Sequence, residues 1–324
     1  MSITLETVCG PEYAEAASLI LCDSWQPPAV RYTPEYMNWQ LSCPSSMPSP
    51  AVIALDGNTP AGFCAITPRR FRAGAHTWDS GIVSFVAVRP QWRGLGLAMK
   101  LYSKVCEAIT QLGAPIVTFG VEDSIGLKVL LQAYTSAGFQ IMPLGNYPSY
   151  VCMARAEAPE QGDWVAELVD PASARNVLGE APAEDLSAIL SCPSELQFRH
   201  YFQDPRRRAL LVVHHQTTGA RGVAWLVETE LITAAGPSSV TSLDMVHIPG
   251  YDASALPALF RTAAKWSGKG DRTLVTAPNL AGFTADSLRQ YGIRQTGKGF
   301  VGYCCGPAIP ALLNSVRTTN IEIV

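Results

Sequence analysis

The sequence predicts an α/β protein, α+β in its layering, made of two domains that each set helices around a mixed central β-sheet. Three observations carry that expectation. The chain has 324 residues, beyond the size at which one hydrophobic core usually keeps growing. An apolar, β-branched run, Ile82-Val83-Ser84-Phe85-Val86-Ala87-Val88, passes through a glycine-bearing turn straight into an amphipathic helix, which is the strand-to-helix step of α/β architecture. The order of elements around that step then recurs in the second half. Composition agrees, since 48% hydrophobic and 16% charged residues supply large cores and little disorder.

In chain order, Ile3 to Val8 reads as an opening strand, and Pro11 to Leu21 as a helix with proline near its start and acids in its first turn. Thr33-Pro34-Glu35 begins a second short helix through Leu41, with Thr33 placed to cap it. Ala51–Leu55 and Ala61–Ile66 flank the turn Asp56-Gly57-Asn58 and form a β-hairpin. The run 82–88 is the strongest strand of the sequence. After the glycine turn, Leu95, Met99, Tyr102, Cys106 and Ile109 recur at helical spacing. Pro115 to Val121 is the next parallel strand, a helix starts near Ile125, and Ser149–Met153 is the closing strand of a first domain at 1–154. Residues 155–163, acidic and poor in apolar side chains, form the linker to a second domain at 164–324.

Several functions are disfavoured. A formal net charge of −3 creates no whole-protein field that attracts nucleic acid or an anionic membrane. The first residues carry no basic-then-apolar signal, and no run of about 18 apolar residues occurs, so a cytoplasmic protein with no membrane partner is expected. Nine cysteines contain no C-x-x-C pair, which points to free thiols with neither a disulfide framework nor a metal site.

The chemistry concentrates after the strand at 82–88. Arg93-Gly94-Leu95-Gly96-Leu97-Ala98 leads into the helix, which places unpaired amides and the positive end of the macrodipole at one point. That is an anion site. Gly94 and Gly96 let a phosphate approach backbone that a Cβ would shield, and Arg93 adds a fixed charge with a planar fork of donors.

A strand ending V-x-P, then R-G-x-G-x-A opening a helix, resembles the coenzyme A motif of the GNAT superfamily of N-acetyltransferases, with Arg93, Gly96 and Ala98 at the signature positions. Downstream, Ala133-Tyr134-Thr135-Ser136-Ala137-Gly138-Phe139 is similar in spacing to the family's tyrosine-to-glycine-phenylalanine ending, although the alanine directly precedes the tyrosine here. The resemblance implies acetyl-CoA or another acyl-CoA as co-substrate, contacted by Arg93 to Ala98, and direct attack by an amine of a small metabolite on the thioester. It further implies that backbone amides near Ala87 and Val88 face the thioester carbonyl and that Tyr134 protonates the departing thiolate. Candidates for the base are Asp79, before the motif strand, and Glu122 with Asp123, after the next; Glu122-Asp123-Ser124 also reads as a helix cap. Two alternatives stay open: a donor presented by an acyl carrier protein or aminoacyl-tRNA, and a non-catalytic acyl-CoA-binding scaffold.

In the second half, Leu196–Pro205, strands at 209–213, 222–227 and 241–248, a helix at 253–266 and a strand at 273–276 echo the first, giving a tandem arrangement. Its motif is degenerate. His247-Ile248-Pro249-Gly250-Tyr251-Asp252 has no arginine and no paired glycines, Asp252 would repel phosphate, and Leu288 stands where Tyr134 stands in the first half. A structural or substrate-shaping role follows. The arginines at 206–208, and Arg69, Arg70 and Arg72, are expected on solvated surfaces. Tyr36 and Trp39 are expected in the core or at the acceptor pocket.

Overall fold

The computed structural model describes residues 2–9, 11–159, 162–170, 188–278, 280, 282–310, 313 and 318–320. The first half runs β1 (Ile3–Cys9), α1 (Ala14–Ser24), β2 (Ala29–Val30), α2 (Pro34–Leu41), β3 (Pro50–Asp56), β4 (Thr59–Ala73), β5 (His76–Val88), α3 (Leu97–Leu112), β6 (Ile116–Val121), α4 (Ile125–Ser136) and β7 (Gln140–Arg155). The second half runs β8 (Trp164–Val169), β9 (Ala188–Ser191), α5 (Glu195–Tyr201), β10 (Arg208–His215), β11 (Arg221–Thr233), β12 (Gly236–His247), α6 (Leu256–Ser267), β13 (Arg272–Ala277), α7 (Ala285–Arg289), β14 (Arg294–Gly306) and β15 (Thr318–Asn320). Thr33 caps α2 through Tyr36 N–H at 3.2 Å. Ser124 caps α4 through Leu127 N–H at 3.1 Å, so the segment after β6 does serve as a cap.

The strands join in one mixed sheet in the order β1-β3-β4-β5-β6-β14-β7-β13-β12-β11-β10-β8. That order departs from two sheets laid end to end. β14, late in the sequence, pairs antiparallel with β6 from Phe300↔Val121 to Cys305↔Ile116 and with β7 on its other edge. β7 in turn pairs with β13 from Arg272↔Arg155 to Ala277↔Tyr150. Each half therefore lends its last long strand to the other, and Arg155, expected to open the linker, is the last residue of β7. Glu160 and Gln161 of that linker lie outside the described residues.

Between the halves lies a shared core in which Tyr36, Met37 and Trp39 of α2 meet Phe198 and Tyr201 of α5 and Trp225 of β11. α2 and α5 are pseudo-equivalent, and their contact is reciprocal. Trp39 and His200 stack with ring centroids 5.1 Å apart and planes 6° apart. Trp39 Nε1 donates to His200 O at 2.8 Å, and His200 Nε2 lies 2.8 Å from Trp39 O. A carbonyl only accepts, so this contact requires the Nε2–H form of the ring.

Two expectations about arginines are corrected here. Arg69 is 1% exposed, with Nη1 donating to Pro68 O at 2.8 Å and Nη2 to Gln40 Oε1 at 3.1 Å. Arg208 is buried as well, 3.3 Å from Asp204 and over the rings of Tyr201 and Trp225. Arg206 makes bidentate contacts with Asp204 and lies 4.1 Å over the Tyr36 ring. The reason is the company they keep: facing aromatic rings and one buried carboxylate make a better environment for flat guanidinium groups than the turn composition suggests.

Burial lowers the pKa of His200, its bond to Trp39 O opposing the shift. The folded state thus favours the neutral ring, and below about pH 6.5 the unfolded chain takes up the proton first, so stability falls as pH drops through that value. His200→Gln, which keeps a donor for Trp39 O, should flatten this pH dependence of the melting temperature between pH 7 and 5. Trp39→Ala should cost about 3–5 kcal/mol in chemical denaturation at pH 7.5.

Candidate active site

Two irregularities of β5 build the site. Phe63 pairs with Ala87 and Ala65 with Ser84, which leaves one extra residue on β5, and Phe85 takes the left-handed conformation with φ 59°. This is a β-bulge, and it bends the strand. Beside it, β5 and β6 pair in parallel only at Ile82↔Val117 and Val83↔Thr118. Beyond those pairs the two strands diverge, so the edge of Ser84–Val88 that faces β6 has no ladder partner among the described strands.

The gap opens into a groove of about 690 Å³ floored by Val86, Ala87 and Val88, with Tyr102 and Met99 on α3, Ile125 and Gly126 on α4, and Trp25 after α1. Arg93, Gly94, Gly96, Leu97 and Ala98 line one end; Leu95 turns away and is 49% exposed. Gly94 and Gly96 have φ 79° and 69°, and a Cβ on either would meet nothing within 4 Å. No side chain caps α3, and its first intrahelical bond is Lys100 N–H to Gly96 O at 3.2 Å, so the amides of 97–99 point at this open space. Arg93 is tied at the mouth, its Nε donating to Val88 O at 3.1 Å and its Nη2 to Ser24 O. The residues fit a phosphate-bearing ligand: open backbone donors, a helix N-terminus and a fixed cation converge.

The remaining candidates fall at different distances from this gap. Tyr134 is fully buried in the core beneath α3 and α4, does not line the groove, and stacks on Phe139 with ring centroids 5.8 Å apart. Its hydroxyl is sealed from solvent beside that of Thr118, and burial pushes the phenol pKa up. Tyr102, which sequence reasoning placed only on the apolar face of α3, reaches the groove wall, and burial raises its pKa too. Glu122 is exposed just past β6, at the open end of the gap, its N–H bound to Gly299 O at 3.1 Å. Asp79 is not brought to the site. It faces Arg70 across β4, bonds Ser46 and sits eight residues before Ala87, about 26 Å along the strand at roughly 3.3 Å per residue. Asp123 has φ 58° in the turn before α4.

Residues 14–139 match the family model described as the acetyltransferase (GNAT) family. The matched segment, 14–139, is a GNAT-family region. The whole chain superposes on a tandem GNAT protein from the clavulanic acid biosynthesis pathway with TM-score 0.61 at 13% identity, covering 95% of this chain and 100% of that one. It superposes on the N-myristoyltransferase of Saccharomyces cerevisiae, solved with bound myristoyl-CoA, with TM-score 0.65 at 10% identity, covering 97% and 84%. A conserved protein of Enterococcus faecalis V583, titled a probable N-acyltransferase, gives 0.56 at 12% identity over 93% and 72%. These likenesses are of fold: the whole chain shares the two-lobed fold of a tandem GNAT protein. No curated protein matches the sequence.

The second GNAT-like half repeats the irregularities without the cradle. Val223 pairs with His247 and Trp225 with Asp244, a bulge at the equivalent place, with Met245 at φ 47°. β12 and β13 likewise pair in parallel at only two positions, Thr241↔Val275 and Ser242↔Thr276. Where the first half is open, however, Tyr251 lies against Gly282, so tightly that a Cβ there would fall 2.2 Å from the ring, and meets Phe283 edge-on at 5.8 Å. Asp252 accepts from Ser254 Oγ at 2.6 Å and from Ser254 N–H and from Trp164 Nε1 at 3.0 Å, and these bonds, the Ser254 hydroxyl's first, lower its carboxyl pKa. An aromatic plug and a carboxylate replace the glycines and the arginine.

Because the left-handed backbone at Gly96 is unfavourable for any residue with a Cβ while the space in front of it is free, Gly96→Ala should cost about 1–2 kcal/mol through strain alone. Urea denaturation measures it, and a larger loss would mean that the methyl group meets an obstruction.

Proposed function

We propose that this protein is an acyl-CoA-dependent N-acyltransferase that moves an acetyl or other small acyl group from the CoA thioester to an amine of a small molecule. The observation that carries the reading is the convergence of the glycine cradle at the head of α3 with the bulged, unpaired edge of β5 at the two ends of one groove. The pyrophosphate would rest on the amides of 94–98 beside Arg93. The pantetheine would then lie in the gap between β5 and β6, an extended chain completing an unpaired edge, with the thioester carbonyl facing the amides of Ala87 and Val88. Oxyanion stabilisation by fixed backbone donors is worth several kcal/mol in such sites.

Tyr134 is proposed as the acid for the departing thiolate. It stands at the tyrosine position of the family resemblance and burial keeps its hydroxyl protonated; to serve as the acid the hydroxyl would turn from Thr118 toward the gap. Glu122 is proposed to take the ammonium proton, directly or through water, because it is the sequence-expected carboxylate that stands at the open end of the gap. The arginines at 206–208 lend little to a carrier-protein or tRNA donor, since Arg206 and Arg208 are committed to Asp204 and aromatic faces.

Titration calorimetry with acetyl-CoA should give micromolar binding, about −8 kcal/mol, lost in an Arg93→Ala, Gly96→Asp double variant whose melting shows it folded. Absence of binding to the intact protein would overturn the reading. Tyr134→Phe should lower kcat by about 10²-fold or more with little change in acetyl-CoA affinity, whereas Tyr102→Phe should act on affinity; equal kcat in wild type and Tyr134→Phe removes Tyr134 from the mechanism.

A further inference from the structure

On the α1/α2 side of the sheet, opposite the groove, lies a second cavity of about 290 Å³ between the two halves. Trp25 is common to both cavities. It meets Tyr32 edge-on at 5.3 Å, and Tyr32 meets Phe85 of the bulge at 5.8 Å, so an aromatic partition runs from the thioester end of the groove into this chamber. The first half contributes Trp25, Tyr32 and Tyr36, and the second half contributes Val227, Val240 and Phe300. Phe300 stands on the exchanged strand β14, opposite Val121 at the end of β6, which is where the gap opens. Two charged side chains reach the chamber among the described residues, and both have partners. Arg206 is held by Asp204, and Asp244 accepts from Met245 N–H at 2.8 Å.

We infer that this chamber receives the acceptor, and that the acceptor is a primary amine on an apolar or aromatic body rather than a polyamine or an amino sugar. The inference rests on the acyltransferase reading for the word acceptor, while the chamber and its chemistry stand on the lining alone. Polar substrates with many donors would lose hydration against valines and aromatic rings with few groups to replace it. An arylalkyl body buries apolar area there. The amine attacks in its neutral form; its proton leaves toward Glu122 or solvent as the N–C bond forms and the C–S bond breaks, and the departing thiolate takes a proton from the proposed acid or solvent. The second half thus acts as one wall of the acceptor site.

The chamber can be tested by direct binding of 2-phenylethylamine, spermidine and glucosamine to the full chain, with acetyl-CoA titrated separately. Phenylethylamine should bind at least tenfold more tightly than the other two. Val240→Trp, filling the cavity from the second half, should weaken it at least tenfold while acetyl-CoA affinity stays within twofold. Leu231→Ala, enlarging the same wall, should improve binding of 2-(1-naphthyl)ethylamine relative to phenylethylamine, a gain that misfolding cannot mimic. Equal or tighter binding of spermidine or glucosamine, no binding of any amine, or indifference to both substitutions overturns the inference. Retained phenylethylamine selectivity in a protein that ignores acetyl-CoA upholds the chamber and overturns the donor reading instead.

Discussion

The exchange of long strands between the halves is the constraint on which the rest of the molecule depends. β14 fills the place between β6 and β7, and Cys304 and Cys305 on it belong to cores packed under the first half. Without β14, β6 would be an open edge with unpaired donors and acceptors, and the end of the gap would lose Phe300. Without β7, β13 would lose the partner that separates it from solvent on that side. Neither half can be completed from its own sequence. The reciprocal Trp39–His200 contact stands on the second line of attachment, where α2 and α5 meet, and β2 adds a third by pairing Val30 with Leu231, reinforced by Arg31 and Glu230 at 2.7 Å. That last pair is exposed and worth little alone; the backbone pairing fixes the loop that carries Trp25 and Tyr32.

Fixing that loop matters because the groove and the chamber share it. The bulge at Phe85 holds a non-glycine residue in the left-handed region, which costs on the order of 1–3 kcal/mol and persists only where surrounding packing over-determines it. Tyr32 against Phe85 is part of that packing. The second half keeps the same strain at Met245 although its cleft is plugged, so the bulge is tied to bending the strand and opening the sheet. The proposed phosphate binding requires something additional, namely open glycine amides and a cation, which among the described residues the first half has and the plugged cleft of the second lacks.

Much of this was legible from local pattern. The run 82–88, the glycine turn and the spacing of α3 are period signals within one segment, and Thr33 and Ser124 are cap signals three residues long; the repeat of the second half was readable from element order. The exchange was not, because β14 carries Gly297, Gly299 and Gly302, which weaken any strand pattern, and its partners lie more than a hundred residues away. Asp79 failed as a candidate for a related reason. Being near a strand end in sequence does not say which end, and β5 is long enough to carry Asp79 far from the gap. Arg69 and Arg208 were misplaced because a buried guanidinium is stabilised by partners from other elements, Gln40 for one and Asp204 with three aromatic rings for the other. Trp25 and Ile125 stand in a loop end and a helix start with no periodicity to mark them.

The buried charges between the halves have a consequence for what the chamber selects. Asp204 has a fully buried carboxylate shared by Arg206 and Arg208, and such clusters return little net stability after desolvation, while breaking one partner away is expensive. Their value here is geometric. Arg206 is pinned flat over Tyr36 and forms part of the chamber wall without offering a loose cation to an entering ligand. On the proposed reading the chamber would select largely by shape and apolar area, since nine of its thirteen lining residues are aliphatic, proline or aromatic. On that reading the neutral amine attacks, and its proton would pass to solvent or to Glu122, which lies with Asp123 in the exposed turn after β6.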